Sequence, residues 1–256
     1  MRIKSLFVFA VVVAIGVIAA SPQAQAGVIG AISVNFSKLN DANTTVTGSA
    51  GVYDADNWNN TDVAASITLT DLIDDTGTAT TADLAGTTGG NTADFSYTPS
   101  TQNSRLMKAY VDASDSAPST FTITDIPYAQ YELYYYHDGG NHTITGRGIK
   151  VTLNDTTAYY SHEYGTDFPG DADADDFEEY HNTDETTAKN SAGGNYMHLT
   201  GLSGTTLKIT VEAPFTSDHY RAPTNGFQIV EVPEPATMAL MALGGVGLLL
   251  KRRRSK

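Results

Sequence analysis

The stretch TLKITVEA, from Thr206 to Ala213, places an apolar side chain at every second position, at Leu207, Ile209 and Val211. Alternation with a period of two is the pattern of a β-strand that buries one face. Alternating or β-branched runs recur along the chain, with Gly, Asn, Asp and Pro between them, in AISVNF, SITLTDL, ADFSYT, RLMKAYVD, TFTITDI, QYELYYYH, GIKVTLN, AYYSHEY, NYMHLTGL and GFQIVEV. Short strands at this spacing predict an all-β fold, a single antiparallel β-sandwich of the jelly-roll type.

The strand pattern also predicts how some residues are placed. The first strand, at Ile32, is expected to pair with the last, at Ile229. In QYELYYYH, Tyr135 must face away from Tyr134 and Tyr136, because successive residues of a strand point to opposite faces. One side of this strand should therefore lie in the core and the other should be partly exposed. Threonine is plentiful, but no regular array of threonines is visible along the chain, so ice binding is not indicated.

The N-terminal segment, residues 1–26, has the pattern of a secretory signal peptide. Two basic residues precede the apolar run SLFVFAVVVAIGVIAA, and the small residues Ala24 and Ala26 follow it. We expect signal peptidase to cleave before Gly27, which sends the protein out of the cytoplasm. An N-terminal membrane anchor that is not cleaved is the alternative.

The C-terminal segment, residues 233–256, has three parts in a fixed order. Pro233, Glu234 and Pro235 come first, and fifteen mostly apolar residues follow at 236–250. As a helix these would span about 23 Å, which is shorter than the roughly 30 Å hydrocarbon core of a bilayer. Basic residues that can reach the membrane surface end the chain, at Lys251, Arg252, Arg253, Arg254 and Lys256. The segment is predicted to be a short transmembrane helix that inserts marginally and transiently.

This tripartite tail resembles the PEP-CTERM sorting signal of bacteria, which is processed by the membrane enzyme exosortase. The resemblance implies export through an inner-membrane intermediate to the cell surface or the exopolysaccharide matrix. It also implies that exosortase is a partner of this chain and that exopolysaccharide is a candidate partner. A plain tail anchor with an incidental Pro-Glu-Pro is the alternative.

Between the two signals, residues 27–232 are predicted to form the single sandwich domain. This segment has 8 Lys or Arg against 28 Asp or Glu, which gives a net charge of −20. A surface of this charge repels phosphate backbones, so nucleic acid is excluded as a partner. The chain has no cysteine, so neither a disulfide framework nor a thiolate zinc site is available, and stability must come from the apolar core.

Five blocks of the interior resemble an uncharacterised β-sandwich domain in secreted proteins of planctomycetes and verrucomicrobia. The blocks are GVYDADNWNN (51–60), RLMKAYVD (105–112), IPYAQYELYYYHDG (126–139), NYMHLTGLSGTTLKITVEA (195–213) and RAPTNGFQIVEV (221–232). The resemblance implies a sandwich in an extracellular setting. Such sandwiches look like galactose-binding and carbohydrate-binding modules, an analogy of fold that extends to no particular residue.

No catalytic motif is visible in the sequence. GLSG at 201–204 lacks the second glycine of a nucleophile elbow, and HEYGT at 162–166 lacks the second histidine of a zinc protease helix. A glycosidase needs two carboxylates about 5–10 Å apart, and the 28 acidic residues nominate no particular pair. We therefore expect a binding or structural protein rather than an enzyme, with a secreted carbohydrate-active hydrolase as the alternative.

Two stretches are candidate binding sites. In GDADADD at 170–176, Asp171, Asp173 and Asp175 are candidate Ca²⁺ ligands, because alternate residues of an extended loop point the same way. A solvated acidic loop is the alternative. In the second stretch Trp58, the only tryptophan, could stack on a sugar ring while Asn57 and Asn59 supply amides. A buried anchor flanked by turn asparagines is the alternative there.

Overall fold

The protein is all-β in the computed structural model, which describes residues 30–89, 91–94, 98–114, 117–138, 148–162, 177–189, 191, 193–214 and 221–233. By its contacts, Ile29–Val232 forms one compact unit. The strands are β1 (Ala31–Ser37), β2 (Asn59–Asp62), β3 (Ser66–Leu69), β4 (Asp83–Thr87), β5 (Asn91–Asp94), β6 (Ala109–Ser114), β7 (Ser119–Thr124), β8 (Gln130–Tyr136), β9 (Gly148–Leu153), β10 (Thr157–His162), β11 (Tyr196–Ser203), β12 (Leu207–Glu212), β13 (Arg221–Thr224) and β14 (Gly226–Glu231). Two one-turn helices, α1 (Gln102–Leu106) and α2 (Glu185–Lys189), complete the described elements.

The strands form two large sheets and one small sheet. The five-stranded sheet has the order β11-β8-β14-β1-β2, the six-stranded sheet has the order β10-β9-β12-β7-β4-β3, and the small sheet is β13-β6-β5. β7 pairs with β12, β8 with β11 and β9 with β10, so the pairs are nested along the chain as in a jelly roll. Among the pairs of named strands described, only β1 and β2 run parallel.

The predicted pairing of the first and last strands is confirmed, with Ile32 opposite Ile229. The prediction that RLMKAYVD is a strand from Arg105 onward is wrong at its start, because the chain there is still in α1, and β6 begins at Ala109. Local hydrogen bonds explain the helix. Ser104 N–H donates to Thr101 Oγ1 at 3.1 Å, and Thr101 N–H donates to Ser104 Oγ at 2.9 Å. The first backbone N–H groups of a helix lack partners within the helix, and this reciprocal cap supplies them, which favours a helix start here over a strand.

The main core lies between the inner faces of the two large sheets. Phe36 of β1 and Phe227 of β14 belong to the five-stranded sheet, and Phe121 of β7 belongs to the six-stranded sheet. The ring centroids of Phe36 and Phe121 are 5.0 Å apart, and those of Phe121 and Phe227 are 6.3 Å apart. Gly86 lies opposite Phe121 in β4, where an added Cβ would come within 2.8 Å of the phenyl ring. The glycine therefore makes room for the aromatic contact that joins the sheets.

A second apolar cluster covers the outer face of the five-stranded sheet. Trp58 and Tyr136 belong to it, together with residues of the loop between β1 and β2. The predicted alternation in β8 is confirmed, since Tyr135 lies in the main core and Tyr136 in this second cluster, with Tyr134 packed against it. Tyr136 is fully buried rather than partly exposed, because the loop packs over it and Val52 N–H donates to its hydroxyl at 2.7 Å.

Candidate binding site on the six-stranded sheet

A row of polar side chains crosses three strands on the outer face of the six-stranded sheet. Lys150 of β9 lies between Tyr160 of β10 and Glu212 of β12 in the antiparallel register. The neighbours of Lys150 along β9, Ile149 and Val151, point into the main core. The alternation that builds the core therefore also sets Tyr160, Lys150 and Glu212 side by side on the opposite face.

This row forms one wall of a cavity of about 240 Å³, which we call the Lys150 pocket. Helix α2 contributes Glu185, and the segments where β6 ends, β7 begins and β12 ends supply the rest of the lining. The full lining is Ser114, Pro118, Lys150, Tyr160, Glu185, Glu212, Ala213 and Pro214. The volume lies below the roughly 300–1,000 Å³ of pockets for drug-sized ligands, so it suits a ligand of about one ring.

One ammonium group and two carboxylates set the electrostatics of the Lys150 pocket. Lys150 Nζ donates to Glu212 Oε2 at 2.7 Å, and this hydrogen bond, with the charges of Glu212 and Glu185, raises the pKa of the lysine. The side chains of Lys150 and Glu212 keep 29% and 43% of their surface exposed, so both remain within reach of a ligand. An ammonium donates and a carboxylate accepts, so the pair can serve a group that does both, and a hydroxyl is such a group.

A second polar cluster lies on the outer face of the five-stranded sheet, along β8 and β11. The rings of Tyr134 and His198 are stacked, with centroids 4.3 Å apart and planes 8° apart, and His198 Nε2 lies 2.7 Å from Glu132 Oε2. Burial, followed by the charge of Glu132, raises the pKa of Tyr134 to about 12. The polar groups of these side chains already contact one another. The Lys150 pocket, in contrast, is a cavity that a ligand can enter, so we take the pocket as the candidate site.

The structure gives Trp58, Asn57 and Asn59 structural contacts. Trp58 is only 6% exposed, its indole N–H donates to the carbonyl of Ala55 at 2.9 Å, and its ring packs against Tyr136. The Asn57 amide donates to the carbonyl of Asp75, and the Asn59 amide joins the backbones of β1 and the 72–74 segment. These are the contacts of the buried-anchor alternative, and they leave the indole little surface on which a sugar could stack.

The other predicted sites lie outside the described residues. Asp171, Asp173 and Asp175, the cleavage site at Ala24, Ala26 and Gly27, and the tail from Glu234 to Lys256 all belong to this group, and only Pro233 of the sorting motif is described. Across the described ranges, no cluster of three or more His, Asp or Glu side chains is arranged to hold a metal ion. No helix within those ranges is long and apolar enough to cross a membrane.

Sequence reasoning did not single out the residues of the Lys150 pocket. Lys150 and Glu212 are 62 positions apart, and Glu185 belongs to a helix that the pattern of strands did not predict. The sequence offered one signal for these residues: in GIKVTLN and TLKITVEA polar residues alternate with the apolar residues that face the core. That signal assigns Lys150 and Glu212 to outer faces, but it does not say that β9 and β12 are neighbours.

Comparison with protein families finds the PEP-CTERM protein-sorting motif at residues 231–254. The tail is therefore a sorting signal, and the chain is an exported protein that exosortase processes on its way through the membrane to the cell surface. The match begins at the last residue of β14 and includes the Pro-Glu-Pro, the apolar run and most of the basic end. Searches of curated proteins and of solved structures found no match.

Proposed function

We propose that this PEP-CTERM protein is a surface binding module that holds one unit of a neutral carbohydrate in the Lys150 pocket. The observation that carries the proposal is the Lys150–Glu212 pair in the wall of a cavity the size of one ring. A sugar hydroxyl accepts from the ammonium and donates to the carboxylate, so two adjacent hydroxyls can bridge the pair. Tyr160, Pro118 and Pro214 offer the apolar surface on which the C–H face of a sugar packs.

The charges around the pocket favour a neutral ligand. Two carboxylates and one ammonium line the cavity, and the predicted mature segment carries a net charge of −20. An acidic sugar would be repelled by Glu185, by Glu212 and by the field of the whole domain. Export to the cell surface brings the module to the polysaccharides found there, and we propose that the exopolysaccharide matrix supplies the ligand after signal peptidase removes residues 1–26.

Replacement of Lys150 by Met or of Glu212 by Gln is expected to lower the affinity for neutral glycans by roughly 10- to 100-fold, as loss of a charged hydrogen bond predicts. A glycan array first identifies sugars that bind the exported chain, and calorimetric titration then compares the variants. Lys38→Met is the matched control, because it removes the Lys38–Asp94 pair, which is of similar exposure and lies outside the pocket. Wild-type affinity in the Lys150 and Glu212 variants would contradict the proposal.

The hydrolase alternative keeps one observation in its favour, since Glu185 and Glu212 line the same cavity. A glycosidase uses two such carboxylates, one on each side of the bond that is cleaved. The test is release of reducing ends from the glycans that bind. Release that disappears in both Glu185→Gln and Glu212→Gln would identify an enzyme, whereas intact glycan after long incubation with the wild type leaves binding as the function.

Protein extracted from the cell surface is expected to lack the residues after about Pro235. The apolar run is too short to make a stable anchor, and the motif is the one that exosortase processes. Intact-mass measurement of the surface fraction checks this, with the inner-membrane fraction as the unprocessed control. A variant with Ala at Pro233, Glu234 and Pro235 should keep its tail. Recovery of the complete C-terminus from the surface would contradict the prediction.

Calcium binding by Asp171, Asp173 and Asp175 is a further part of the proposal. In an extended segment alternate residues point the same way, so three carboxylates at this spacing would repel one another, and a divalent ion would relieve that repulsion. At ten times its Kd, Ca²⁺ would stabilise the fold by about 1.4 kcal/mol, which raises Tm by a few degrees. Thermal melting in millimolar Ca²⁺ and in chelator measures the shift. An equal shift in the triple Asn variant would show that Ca²⁺ acts elsewhere.

A further inference from the structure

A row of hydroxyl-bearing residues crosses five strands of the six-stranded sheet, and Ala158 continues the row on the sixth strand, β10. The antiparallel register sets Ser66 opposite Thr87, Thr87 opposite Thr120, Thr120 opposite Thr210, and Thr210 opposite Thr152, whose partner on β10 is Ala158. All six face outward, because the residues between them along each strand, such as Ile67, Phe121 and Val211, lie in the main core. We call this set of six the threonine row. It arises from strand pairing, which is why no regular array is visible along the chain.

The threonine row lies beside the Lys150 pocket. Thr152 and Thr210 are each two residues from Lys150 and Glu212 along the same strands, a separation of about 7 Å. Six strands at about 4.8 Å spacing make the row about 24 Å long, several times the width of a single ring. A ligand that filled the pocket and continued along the row would be a chain of several units.

The chemistry of the threonine row is neutral and amphipathic. None of its six residues is charged, although acidic residues outnumber basic ones by 28 to 8 in the predicted mature segment. Each threonine offers a methyl group and a hydroxyl, which match the C–H and O–H groups of a sugar. Among the described residues, Thr152 Oγ1 and Thr210 Oγ1 have no hydrogen-bond partner. Both oxygens are covered, so a ligand hydroxyl would reach them after rotation about χ1.

We infer that the outer face of the six-stranded sheet binds one linear, uncharged polysaccharide chain along the threonine row, with one of its units in the Lys150 pocket. This inference rests on the proposed function and extends it from a single unit to a polymer. Ser66, Thr87 and Thr68 are exposed at the far side of the sheet, so the chain can enter from there. Thr120 and Thr210 are half-exposed between that side and the pocket.

Sheet geometry and composition separate this ligand from others that a threonine-rich face could hold. Adjacent strands rotate by about 20–25°, so a row across six strands turns through about 100° in all. A single flexible chain follows such a curve, whereas ice or another flat crystal surface does not. A protein partner or a second copy would call for a core of aromatic or large aliphatic side chains, and the threonine row contains none.

The test measures how affinity depends on ligand length. Neutral linear gluco- and manno-oligosaccharides of one, two and six units are titrated into the exported chain in mild detergent. We expect the six-unit ligand to bind at least about tenfold more tightly than the single unit, and the double variant Thr120→Val, Thr210→Val to lose most of that gain. Val keeps the shape and the strand propensity of Thr, and Thr210 Oγ1 has no hydrogen-bond partner to lose in the described part of the chain, so Tm should not fall.

Thr200→Val is the matched control, because Thr200 is exposed on β11 of the other large sheet. Equal affinity for one and six units, with the double variant behaving as the wild type, would overturn the polymer inference and leave the pocket as a single-unit site. Failure of every sugar to bind would overturn the proposed function and this inference with it. A change in sedimentation of the double variant without a change in sugar affinity would instead identify the face as a contact between copies, and that also overturns the inference.

Discussion

Phe121→Ala is expected to lower Tm by roughly 6–20 °C, because it removes the ring that joins the two large sheets. Phe121 is fully buried and contacts the rings of Phe36 and Phe227 from the opposite sheet. Truncation of such a ring removes its burial and leaves a cavity, at a cost of about 3–5 kcal/mol, and each kcal/mol moves Tm by about 2–4 °C in a domain of this size. Gly86 has no side chain with which to fill the space. Thermal melting followed by circular dichroism measures the change.

Two control variants show whether the loss comes from the contact between sheets. Phe121→Leu keeps much of the buried volume and should give a clearly smaller decrease in Tm. Leu39→Ala removes a side chain that is 55% exposed and should leave Tm nearly unchanged. If the free energy of unfolding of Phe121→Ala fell by less than about 1 kcal/mol, the two sheets would not depend on this contact.

Acid is expected to destabilise the fold through His137, by about 3 kcal/mol between pH 7 and pH 4. The side chain is fully buried at the end of β8, and burial lowers the pKa of His137 to about 3 from its ordinary value of 6.5. Between pH 7 and pH 4 the His137 ring becomes protonated in the unfolded chain but stays largely neutral in the folded chain. The contribution of His137 to stability is therefore complete above pH 6.5 and is lost as the pH falls toward 3.

His137→Leu isolates this effect. The substitution removes the titrating ring, and among the described residues neither nitrogen of His137 has a hydrogen-bond partner, so stability at pH 7 should be unchanged or higher. Hydrogen bonds lower the pKa values of some carboxylates, such as Asp74 and Asp184. The stability that these groups contribute to the fold is lost in acid in both the wild type and the variant. The informative quantity is the difference between the two profiles of unfolding free energy against pH. Parallel profiles from pH 7 to pH 4 would contradict the assignment to His137.

The sequence pattern was sufficient for the parts of the fold that depend on one strand at a time. Alternation in TLKITVEA and QYELYYYH assigns the inner and outer residues of β12 and β8, and the structure agrees. The tail is likewise readable, because a sorting signal is a local arrangement of motif, apolar run and charge. The pairing of Ile32 with Ile229 was also predictable, since it joins the first strand of the sequence pattern to the last strand.

Features that depend on which strands are neighbours could not be predicted. The Lys150 pocket needs β9 beside β12, and the threonine row needs six strands in one register. Strand β2, with the sequence NNTD, has no hydrophobic signal at all. It pairs because Asn59 donates to backbone carbonyls of β1 and of the 72–74 segment. Side-chain hydrogen bonds of this kind depend on distant partners, which composition and periodicity do not specify.

The place where the last strand meets the sorting signal determines how mechanical load enters the domain. Glu231 is both the final residue of β14 and the first residue of the motif match, so no spacer separates the strand from the tail. Strand β14 lies between β8 and β1 and is hydrogen-bonded to both. A pull on the tail, while it is held in the membrane or attached to the surface, thus acts on a strand paired along both sides, whose hydrogen bonds share the force. An edge strand is hydrogen-bonded along one side only, so β14 has two neighbouring strands to resist a load where an edge strand has one.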